Sequence, residues 1–418
     1  MTQSSTAQND PVDVAIIGGG LAGLTQAIAL ASHGISVTVI DREDPARALA
    51  AGFDGRVSAI ALASQRMLAA IGLWNHVAAA QPMWDIRVSD GDSLLFLHYD
   101  HSAIGDQPFG YLVENRVMRQ AQQAAIAGLP RLRLQAPMTA ARIDHGEPGA
   151  GRPAEIELAD GSLIRAWLVI GADGRQSAVR AGAGIRTTEW RYNQTGIVCT
   201  VAHDLDHEGV AQERFLPAGP FAILPMTDAA DGTHRSSLVW TEPTARAAAI
   251  MALDDAAFEA EMRHRFGDGY GEAHVTGPRW SYPLTFLHAE RYVGHRLALV
   301  GDAAHGIHPI AGQGLNLGLR DIAALTEAVV EAHRLGLDIG REDVLERYAR
   351  WRRVDAFVLS AVTDGLTRLF SNDIAPLRLA RDLGLGIIER LPPVKKFFMR
   401  HAMGEVGVLP RLLRGERV

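Results

Sequence analysis

Apolar and polar positions repeat with different periods along this chain, and each period predicts a different secondary structure. Val12–Ile17 and Ser36–Ile40 are short apolar runs, and an Ala-rich segment from Leu24 to Ser32 separates them. Two apolar runs joined by a helical segment predict a βαβ unit with buried parallel strands. Residues 320–370 show a helical period again, so helices are expected there.

Residues 189–283 have a different pattern of apolar and polar positions. Short apolar segments such as Ile197–Val201 and Phe221–Met226 alternate there with turn residues. This pattern predicts an antiparallel sheet that is inserted into the nucleotide-binding part of the chain. The smaller segment 74–102 is expected to join the same sheet. The Pro- and Gly-rich stretch 148–153 is predicted to form the tip of a hairpin between two strands.

A glycine pattern lies at the end of the first apolar run. Gly18, Gly20 and Gly23 have GxGxxG spacing, and the second apolar run ends on Asp41. Glycines at these positions let the backbone approach a pyrophosphate at the positive end of the following helix, and an acid about 20 residues on accepts hydrogen bonds from ribose hydroxyls. The glycines alone would also fit close helix–strand packing. In this strand–helix–strand–acid context they predict dinucleotide binding, and Asp41 argues against a 2′-phosphate.

A second glycine-rich element covers residues 301–321. It follows a short strand predicted at Arg296–Val300, contains Asp302, Gly312 and Gly314, and leads into a helix. Such a loop can bring backbone N–H groups and a helix N-terminus against a polar, electron-accepting ligand.

A third element, Leu168–Arg180, predicts a strand, a tight turn at Ala172–Gly174 and a helix. On its own it is typical of an ordinary turn in which Asp173 and Ser177 cap the helix. The order and separation of all three elements, however, suggest that this turn also belongs to a ligand site.

Together, the three elements resemble those of the FAD-dependent aromatic hydroxylases of the para-hydroxybenzoate hydroxylase type, over residues 10–325. Within that group, Phe53–Leu62, His305–Gly314 and the tail are similar to the ubiquinone-biosynthesis hydroxylases. The resemblance implies an α/β fold, in which a Rossmann-like FAD-binding domain carries an inserted antiparallel substrate sheet and a helical C-terminus.

The resemblance also implies roles for individual residues. The ADP half of FAD is assigned to Gly18, Gly20, Gly23 and Asp41, the pyrophosphate and nicotinamide donor to Asp173 and Gly174, the ribityl chain to Asp302, and the flavin ring to Gly312, Gln313, Gly314, Leu315 and Asn316. The candidate catalytic residues are Arg56, which can steady flavin or substrate oxygens, His308, and Pro309, whose carbonyl is free to contact a substrate hydroxyl. His305 is expected to pack beneath the loop.

The expected domain boundaries follow the pattern and the resemblance. A discontinuous FAD-binding domain is expected at residues 1–73, 103–188 and 284–370, a substrate domain at 74–102 and 189–283, and a helical tail at 371–418. Residues 373–418 hold nine Lys and Arg against five Asp and Glu, together with Ile387–Ile388, Phe397–Phe398 and Leu412–Leu413. Such a tail can contact an anionic membrane or a biosynthetic complex, or pack on the FAD domain.

Composition narrows the remaining choices. The single cysteine, Cys199, excludes an internal disulfide and a Cys-ligated iron–sulfur cluster, and no metal site is expected. The polar first ten residues do not form a signal peptide, and no run reaches the ~18 apolar residues of a membrane helix. A cytoplasmic location is therefore expected, with peripheral contact at the inner face of the membrane as an option. The net charge of −7 gives no reason to expect nucleic-acid binding.

Three functions remain open. The first is a flavin monooxygenase that hydroxylates a polyprenylated phenol in ubiquinone biosynthesis, using FAD, O2, and NAD(P)H or another electron donor. The second is a hydroxylase of a small soluble aromatic compound, which would need arginine in the substrate sheet to bind a carboxylate. The third is a non-catalytic FAD-binding subunit. No second βαβ unit that could hold a nicotinamide cofactor permanently is recognised.

Overall fold

A mainly parallel sheet forms the centre of the nucleotide-binding part. The computed structural model describes residues 10–50, 54–91, 96–307, 312–353 and 389–418. The first sheet contains β1 (Val12–Ile17), β2 (Val37–Ile40), β8 (Leu132–Gln135), β9 (Ala140–Asp144), β10 (Ala154–Leu158), β11 (Leu163–Gly171), β17 (Val293–Gly294) and β18 (Leu297–Leu299). Its order is β17-β18-β11-β1-β2-β8, and β10 pairs with both β11 and β9.

The predicted βαβ unit is confirmed. The second half of β1 is apolar because both of its faces are covered, and Val14 to Ile16 are fully buried. It runs parallel to β2 on one side and to β11 on the other. Helix α1 (Leu21–Ala31) covers one face of the sheet and packs against α8 (Gln313–Arg334). β9 and β10 form the antiparallel pair whose tip was predicted at residues 148–153.

The second sheet is the inserted wall. It contains β5 (Asp85–Asp90), β6 (Phe96–Asp100), β12 (Thr187–His203), β13 (Val210–Leu216), β14 (Gly219–Met226), β15 (His234–Pro243), β16 (Ala273–Ala289) and β19 (His305–Gly306), in the order β19-β16-β12-β15-β14-β13-β5-β6. β5 and β6 come from the segment 74–102, so the prediction that this segment joins the sheet is confirmed for them. The domain boundaries themselves stay predictions.

Strand alternation divides the second sheet into two faces. On β12, Ile197, Cys199 and Val201 are buried against α6 (Thr244–Met251) and α7 (Asp255–Phe266), two helices that the sequence pattern did not predict. Burial raises the pKa of the Cys199 thiol to about 12, as expected for a small apolar core residue. The opposite face of the sheet lines the cavity described below.

A third, smaller sheet contacts β14 of the second sheet and helix α8. It consists of β3 (Val57–Ala61), β7 (Gly110–Glu114) and β4 (Gln81–Met83), in the order β3-β7-β4. The remaining helices are α2 (Pro45–Ala48), α3 (Leu62–Ala70), α4 (Asn115–Ala127), α5 (Ala178–Gly182), α9 (342–353) and α10 (Pro392–Ala402). Within the described ranges, every helix is too short or too polar to cross a lipid bilayer.

Some of the C-terminal residues pack in the core, and others expose apolar side chains. Leu412 and Leu413 are buried in the main core, which corrects their inclusion among candidate membrane-facing residues. Met399 on α10 is also buried, whereas Phe397 on the same helix is 54% exposed. Ile387 and Ile388, with the rest of residues 371–388, lie outside the described residues. Leu412 and Leu413 therefore pack in the main core, whereas Met399 packs with residues of the third sheet and β13, and α10 keeps an exposed apolar side.

Candidate cofactor and substrate site

A cavity of about 1590 Å³ lies between the first and second sheets. Its lining has two chemically different parts. The part called here the polar floor is lined by Gly20, Arg56, Asn115, Arg119, Gly174, Arg175, Asp302 and residues 312–316. The part called the apolar wall is lined chiefly by Met83, Ile86, Val88, Leu97, Val198, Phe215, Ala222, Leu224, Val239 and Phe398.

The first glycine turn brings backbone to the polar floor. Gly18 has a φ of +106°, and a Cβ at this position would collide with the backbone of Ala172. A Cβ at Gly23 would collide with the carbonyl of Gly18, so the third glycine permits close helix–strand packing. Gly20 lines the cavity at the start of α1, and nothing in the described residues lies within 4 Å of the position a Cβ would take. A phosphate can therefore approach the positive end of α1 here.

Asp41 stabilises this turn from below. Its Oδ2 accepts a hydrogen bond from the backbone N–H of Gly19 at 2.8 Å, and its Oδ1 accepts one from Glu43 at 3.0 Å. The structure thus places Asp41 beside the glycine turn as predicted. Its ribose-binding role remains a prediction.

The turn after β11 positions a residue that the sequence analysis missed. Asp173 accepts a hydrogen bond from the backbone N–H of Val179 at 3.1 Å, and Ser177 accepts one from Arg180 at 2.9 Å. Both side chains thus cap α5, as the simpler interpretation of this segment predicted, while Gly174 lines the cavity. Arg175, the next residue, extends across the floor to Asp302, with its Nε 3.2 Å from Oδ2. Its position directly after Asp173–Gly174 was the available signal.

A buried charged cluster supports the turn that carries Asp302. Asp321 accepts a hydrogen bond from the backbone N–H of Gly301 at 3.0 Å, and its carboxylate lies 2.6 Å from Nε2 of His305 and 2.8 Å from Nε of Arg352. Burial alone would raise the pKa of Asp321, but the charges and hydrogen bonds of His305 and Arg352 lower it below its usual value. His305 therefore packs beneath the loop, as predicted.

The start of α8, with Gly312 before it, lies against β3. Gly312 has a φ of +62°, and a Cβ there would approach Cβ of Ala59 at 3.0 Å. Asn316 donates to the carbonyl of Ala59 at 2.8 Å and accepts from the N–H of Ala61 at 2.9 Å, so its amide attaches α8 to β3. A Cβ at Gly314 would have no described atom within 4 Å. Gln313 and Leu315 also line the cavity, whereas His308 and Pro309 lie outside the described residues.

Arg56 belongs to a second hydrogen-bonded network at the polar floor. Its guanidinium donates two hydrogen bonds to Asp54, at 2.9 and 3.0 Å, and lies 4.9 Å from the ring centroid of Tyr282. Asn115 donates to the same carboxylate at 3.0 Å. Burial opposes ionisation of Asp54, but Arg56 outweighs it and lowers the pKa of Asp54 to about 2.

Two further polar residues of this network were missed by the sequence analysis. Asn115 and Arg119 lie one turn apart on α4 and both line the cavity. The side chain of Arg119 comes within 3.7 Å of Asp54. Both residues are close to Asp54 only through tertiary packing, so no local motif marks them.

The apolar wall contains no arginine from the middle of the substrate sheet. The arginines considered for binding a carboxylate are 214, 235, 246, 263, 265 and 279, and none of them lines the cavity. For example, Arg214 donates to the carbonyl of Arg265, Arg235 pairs with Glu114, and Arg279 pairs with Asp255. Arg191 lines the cavity from the first half of β12. The wall itself is suited to an uncharged, largely apolar ligand.

The two parts of the cavity fit FAD together with an aromatic substrate. The floor joins a glycine turn at the start of α1 to a second one at the start of α8, and room remains above Gly20 and Gly314. Extended FAD has its pyrophosphate near its centre and its isoalloxazine ring at one end, and this floor provides a suitable cradle for each.

Comparison with known proteins agrees with this site. Residues 11–356 match the family described as FAD binding domain. The chain is 54% identical over 409 residues to ubiquinone hydroxylase UbiL of Rhodospirillum rubrum, and the alignment covers 96% of this chain and 92% of that protein. It is 37% identical over 401 residues to 3-demethoxyubiquinol 3-hydroxylase of Escherichia coli, with 95% and 99% covered.

Solved structures share the fold. The p-nitrophenol 4-monooxygenase PnpA of Pseudomonas putida aligns with a TM-score of 0.76 at 19% identity, covering 95% of this chain and 99% of that one. PqsL of Pseudomonas aeruginosa, in complex with 2-aminobenzoylacetate, aligns with a TM-score of 0.74 at 23% identity, covering 90% and 100%. At these identities the likeness shows the fold alone, and it confirms the predicted α/β architecture with an inserted sheet.

Proposed function

The chain belongs to the FAD-dependent hydroxylases of the ubiquinone-biosynthesis family, and we propose that it hydroxylates the ring of a polyprenylated phenol. The observation that carries this proposal is the division of one cavity into a polar floor and an apolar wall. The floor suits FAD, and the wall suits a ring with a hydrocarbon chain. O2 is the second substrate.

When bound, FAD supplies the electron transfer that activates O2, which protein side chains do not provide. The chain's own residues position the reactants and exclude water. In this proposal the turn at Gly20 receives the pyrophosphate, Asp302 accepts hydrogen bonds from the ribityl hydroxyls, and the start of α8 at Gln313 stabilises negative charge on the flavin ring. Arg56 steadies flavin or substrate oxygens from the opposite side. His308 and Pro309 remain candidates for contact with the substrate.

The proposed electron donor is NAD(P)H. It would dock transiently across the FAD domain, because the sequence shows no second βαβ unit to hold it. A separate redox protein is the alternative donor.

A small aromatic acid is the less favoured substrate. Its carboxylate would need a cation on the wall, and the six arginines considered for that role point to other partners. A prenylated phenol carries no such charge, and its chain can lie along apolar side chains such as Leu224 and Phe398.

The prenyl chain also needs a route to the cavity. Phe398 and Ala402 of α10 line the cavity, and Leu391, Val394 and Phe397 of the same region are exposed. Lys396 lies among them, and Lys395 beside it pairs with Glu389 at 2.6 Å. Such a combination attracts anionic headgroups and inserts apolar side chains at a membrane surface. We therefore place peripheral membrane contact at residues 391–398, with docking on a biosynthetic complex as the alternative.

An anaerobic reduction experiment tests the function. The purified yellow holoprotein is mixed under nitrogen with NADH or NADPH, with and without a phenol that carries a short isoprenyl chain, and flavin bleaching is followed. We expect bleaching that the phenol accelerates, and a product with one added ring oxygen after O2 is admitted. A hydroxybenzoic acid is the matched control and should be a poor substrate. Hydroxylation of that acid in preference to the prenylated phenol would contradict the proposal.

A further inference from the structure

One ionisable side chain interrupts the apolar wall. Strand pairing places Leu97, Val88, Glu213, Ala222, Val239 and Val198 in one continuous row across six strands, from β6 to β12. Every member of the row lines the cavity, and five of the six are apolar. Glu213 is therefore the polar member of an otherwise hydrocarbon row.

The neighbours of Glu213 on the same face of β13, Ala211 and Phe215, are apolar, although Phe215 pairs with Asp90 of β5. Along β13, Ala211 packs in a cluster with Met83 and Phe109, and Phe215 packs with Leu97. The intervening side chains are occupied elsewhere: Gln212 donates to the hydroxyl of Tyr270 at 2.7 Å, and Arg214 donates to the carbonyl of Arg265 at 2.7 Å. Neither of these neighbours on the strand neutralises the carboxyl group of Glu213.

No described residue forms a hydrogen bond or ion pair with that carboxyl group. Asp302, another carboxylate at the cavity, has Arg175 as a cationic partner. Tyr99 on β6 and Tyr282 on β16 also line the cavity, and burial raises the pKa of both, so they are uncharged at neutral pH. The side chain of Glu213 is only partly exposed, and its carboxyl group has no described partner, so this position favours a ligand that completes it.

We propose that Glu213 is a substrate-binding residue, whose carboxyl group hydrogen-bonds an oxygen substituent on the substrate ring and thereby sets the ring's orientation. This inference rests on the proposed function, because it requires an aromatic ring with a hydroxyl or ether oxygen. In this proposal the substrate ring packs against the apolar row. The single polar group on that row then selects which edge of the ring faces the wall.

The protonation behaviour of Glu213 supports this role. Burial raises its pKa from an ordinary value of 4.5 to about 7. Near neutral pH the protonated acid can donate a hydrogen bond to a ring oxygen, and the ionised form can accept one from a phenolic hydroxyl. A glutamine at this position would keep both a donor and an acceptor, whereas a leucine would keep neither.

A cycle between protein and ligand variants tests the contact. The holoprotein is titrated with a phenol that carries a short isoprenyl chain, and with the matching arene that lacks the hydroxyl. Dissociation constants are measured by calorimetry and by the shift of the flavin absorption. In the wild type, loss of the ligand hydroxyl should weaken binding about tenfold, as expected for one buried hydrogen bond. In Glu213→Leu the two ligands should bind equally well, and Glu213→Gln should resemble the wild type.

Controls separate the possible failures. Gln212→Leu, the adjacent change, should keep the wild-type preference for the phenol. If Glu213→Leu does not retain FAD, Glu213→Met provides a second apolar variant with a flexible side chain. An undiminished preference for the phenol in the apolar variants would overturn the role of Glu213 while leaving the proposed function intact. Failure of every prenylated phenol to bind the wild type would instead overturn the proposed function, and this inference with it.

Discussion

Asp321 and Glu213 are two shielded carboxyl groups that their surroundings treat in opposite ways. Asp321 lies beneath the polar floor and has His305, Arg352 and the N–H of Gly301 as partners, and its pKa is lowered. Glu213 lies on the apolar wall without a described partner, and burial raises its pKa. Burial by itself acts in the same direction on both groups, so the difference is due to the partners.

The comparison distinguishes structural charge from charge that is available to a ligand. A fully paired buried carboxylate stabilises the geometry of its surroundings, here the turn from Gly301 to Ala303. An unpaired one reduces stability, and its hydrogen-bonding capacity remains for the substrate. The cluster beneath the floor is therefore complete within the chain, whereas Glu213 on the wall is completed, in our proposal, by the substrate.

The largest effect is expected for Asp321→Asn. This change removes the buried negative charge that Arg352 and His305 contact, so the free energy of unfolding should fall by about 3–5 kcal/mol. Denaturant unfolding of the holoprotein measures it. Asp343→Asn, which disturbs an exposed pair with Arg341, is the matched control and should change stability little. Equal, small losses in both variants would mean that the buried cluster is not structural.

A change of opposite sign is expected for Glu213→Gln. The wild-type carboxyl binds its proton more tightly in the folded protein, with a pKa of about 7, than in the unfolded chain, near 4.5. The wild type should therefore lose stability relative to Glu213→Gln as pH rises from about 4.5 to about 7, by roughly 2–3 kcal/mol, with a constant difference above that range. Unfolding curves of both proteins at matched pH values measure this difference. A pH-independent difference would mean that the carboxyl has a partner.

Asp302→Ala provides an intermediate case. Asp302 is half exposed and paired with Arg175, so its loss should leave the free energy of unfolding nearly unchanged. It should weaken FAD retention about tenfold, because a hydrogen-bond acceptor for the cofactor is lost. Flavin content after dialysis, and the dissociation constant for added FAD, measure this effect. Unchanged retention would contradict the assignment of Asp302 to the ribityl chain.

The smallest effect is expected at the exposed side of α10. Phe397→Ser should reduce turnover of a substrate held in anionic vesicles a few-fold, because one inserted aromatic side chain is lost, and it should leave turnover of a short-chain soluble phenol unchanged. Leu163→Ser, at a position that is equally exposed on β11, is the matched control. Equal reduction on both substrates would contradict membrane contact at α10.

The sequence predicted those parts of the site that local rules determine. Gly18, Gly23 and Gly312 were found because tight turns and close backbone approach demand glycine wherever they occur. Asn316 was assigned to the flavin ring, and the structure adds that its amide attaches α8 to β3, a contact between residues 255 positions apart. Such pairing has no local signature.

Glu213 escaped prediction for a related reason. An acid between Ala211 and Phe215 is visible in the sequence, but its surroundings come from Val88 and Ala222 on neighbouring strands. Because a shift of one residue in register would turn Glu213 to the helical side of the sheet, its chemical environment could not be assigned before the pairing was known.

The strand β16 contacts both parts of the cavity. It carries Leu284 on the cavity side, and the next residue, Thr285, accepts a hydrogen bond from Arg175 at 2.8 Å. Arg175 in turn contacts Asp302. One strand thus connects the proposed place of the substrate with the proposed place of the cofactor. Thermodynamic linkage then imposes a symmetry: the factor by which a bound phenol changes the affinity for FAD must equal the factor by which FAD changes the affinity for the phenol.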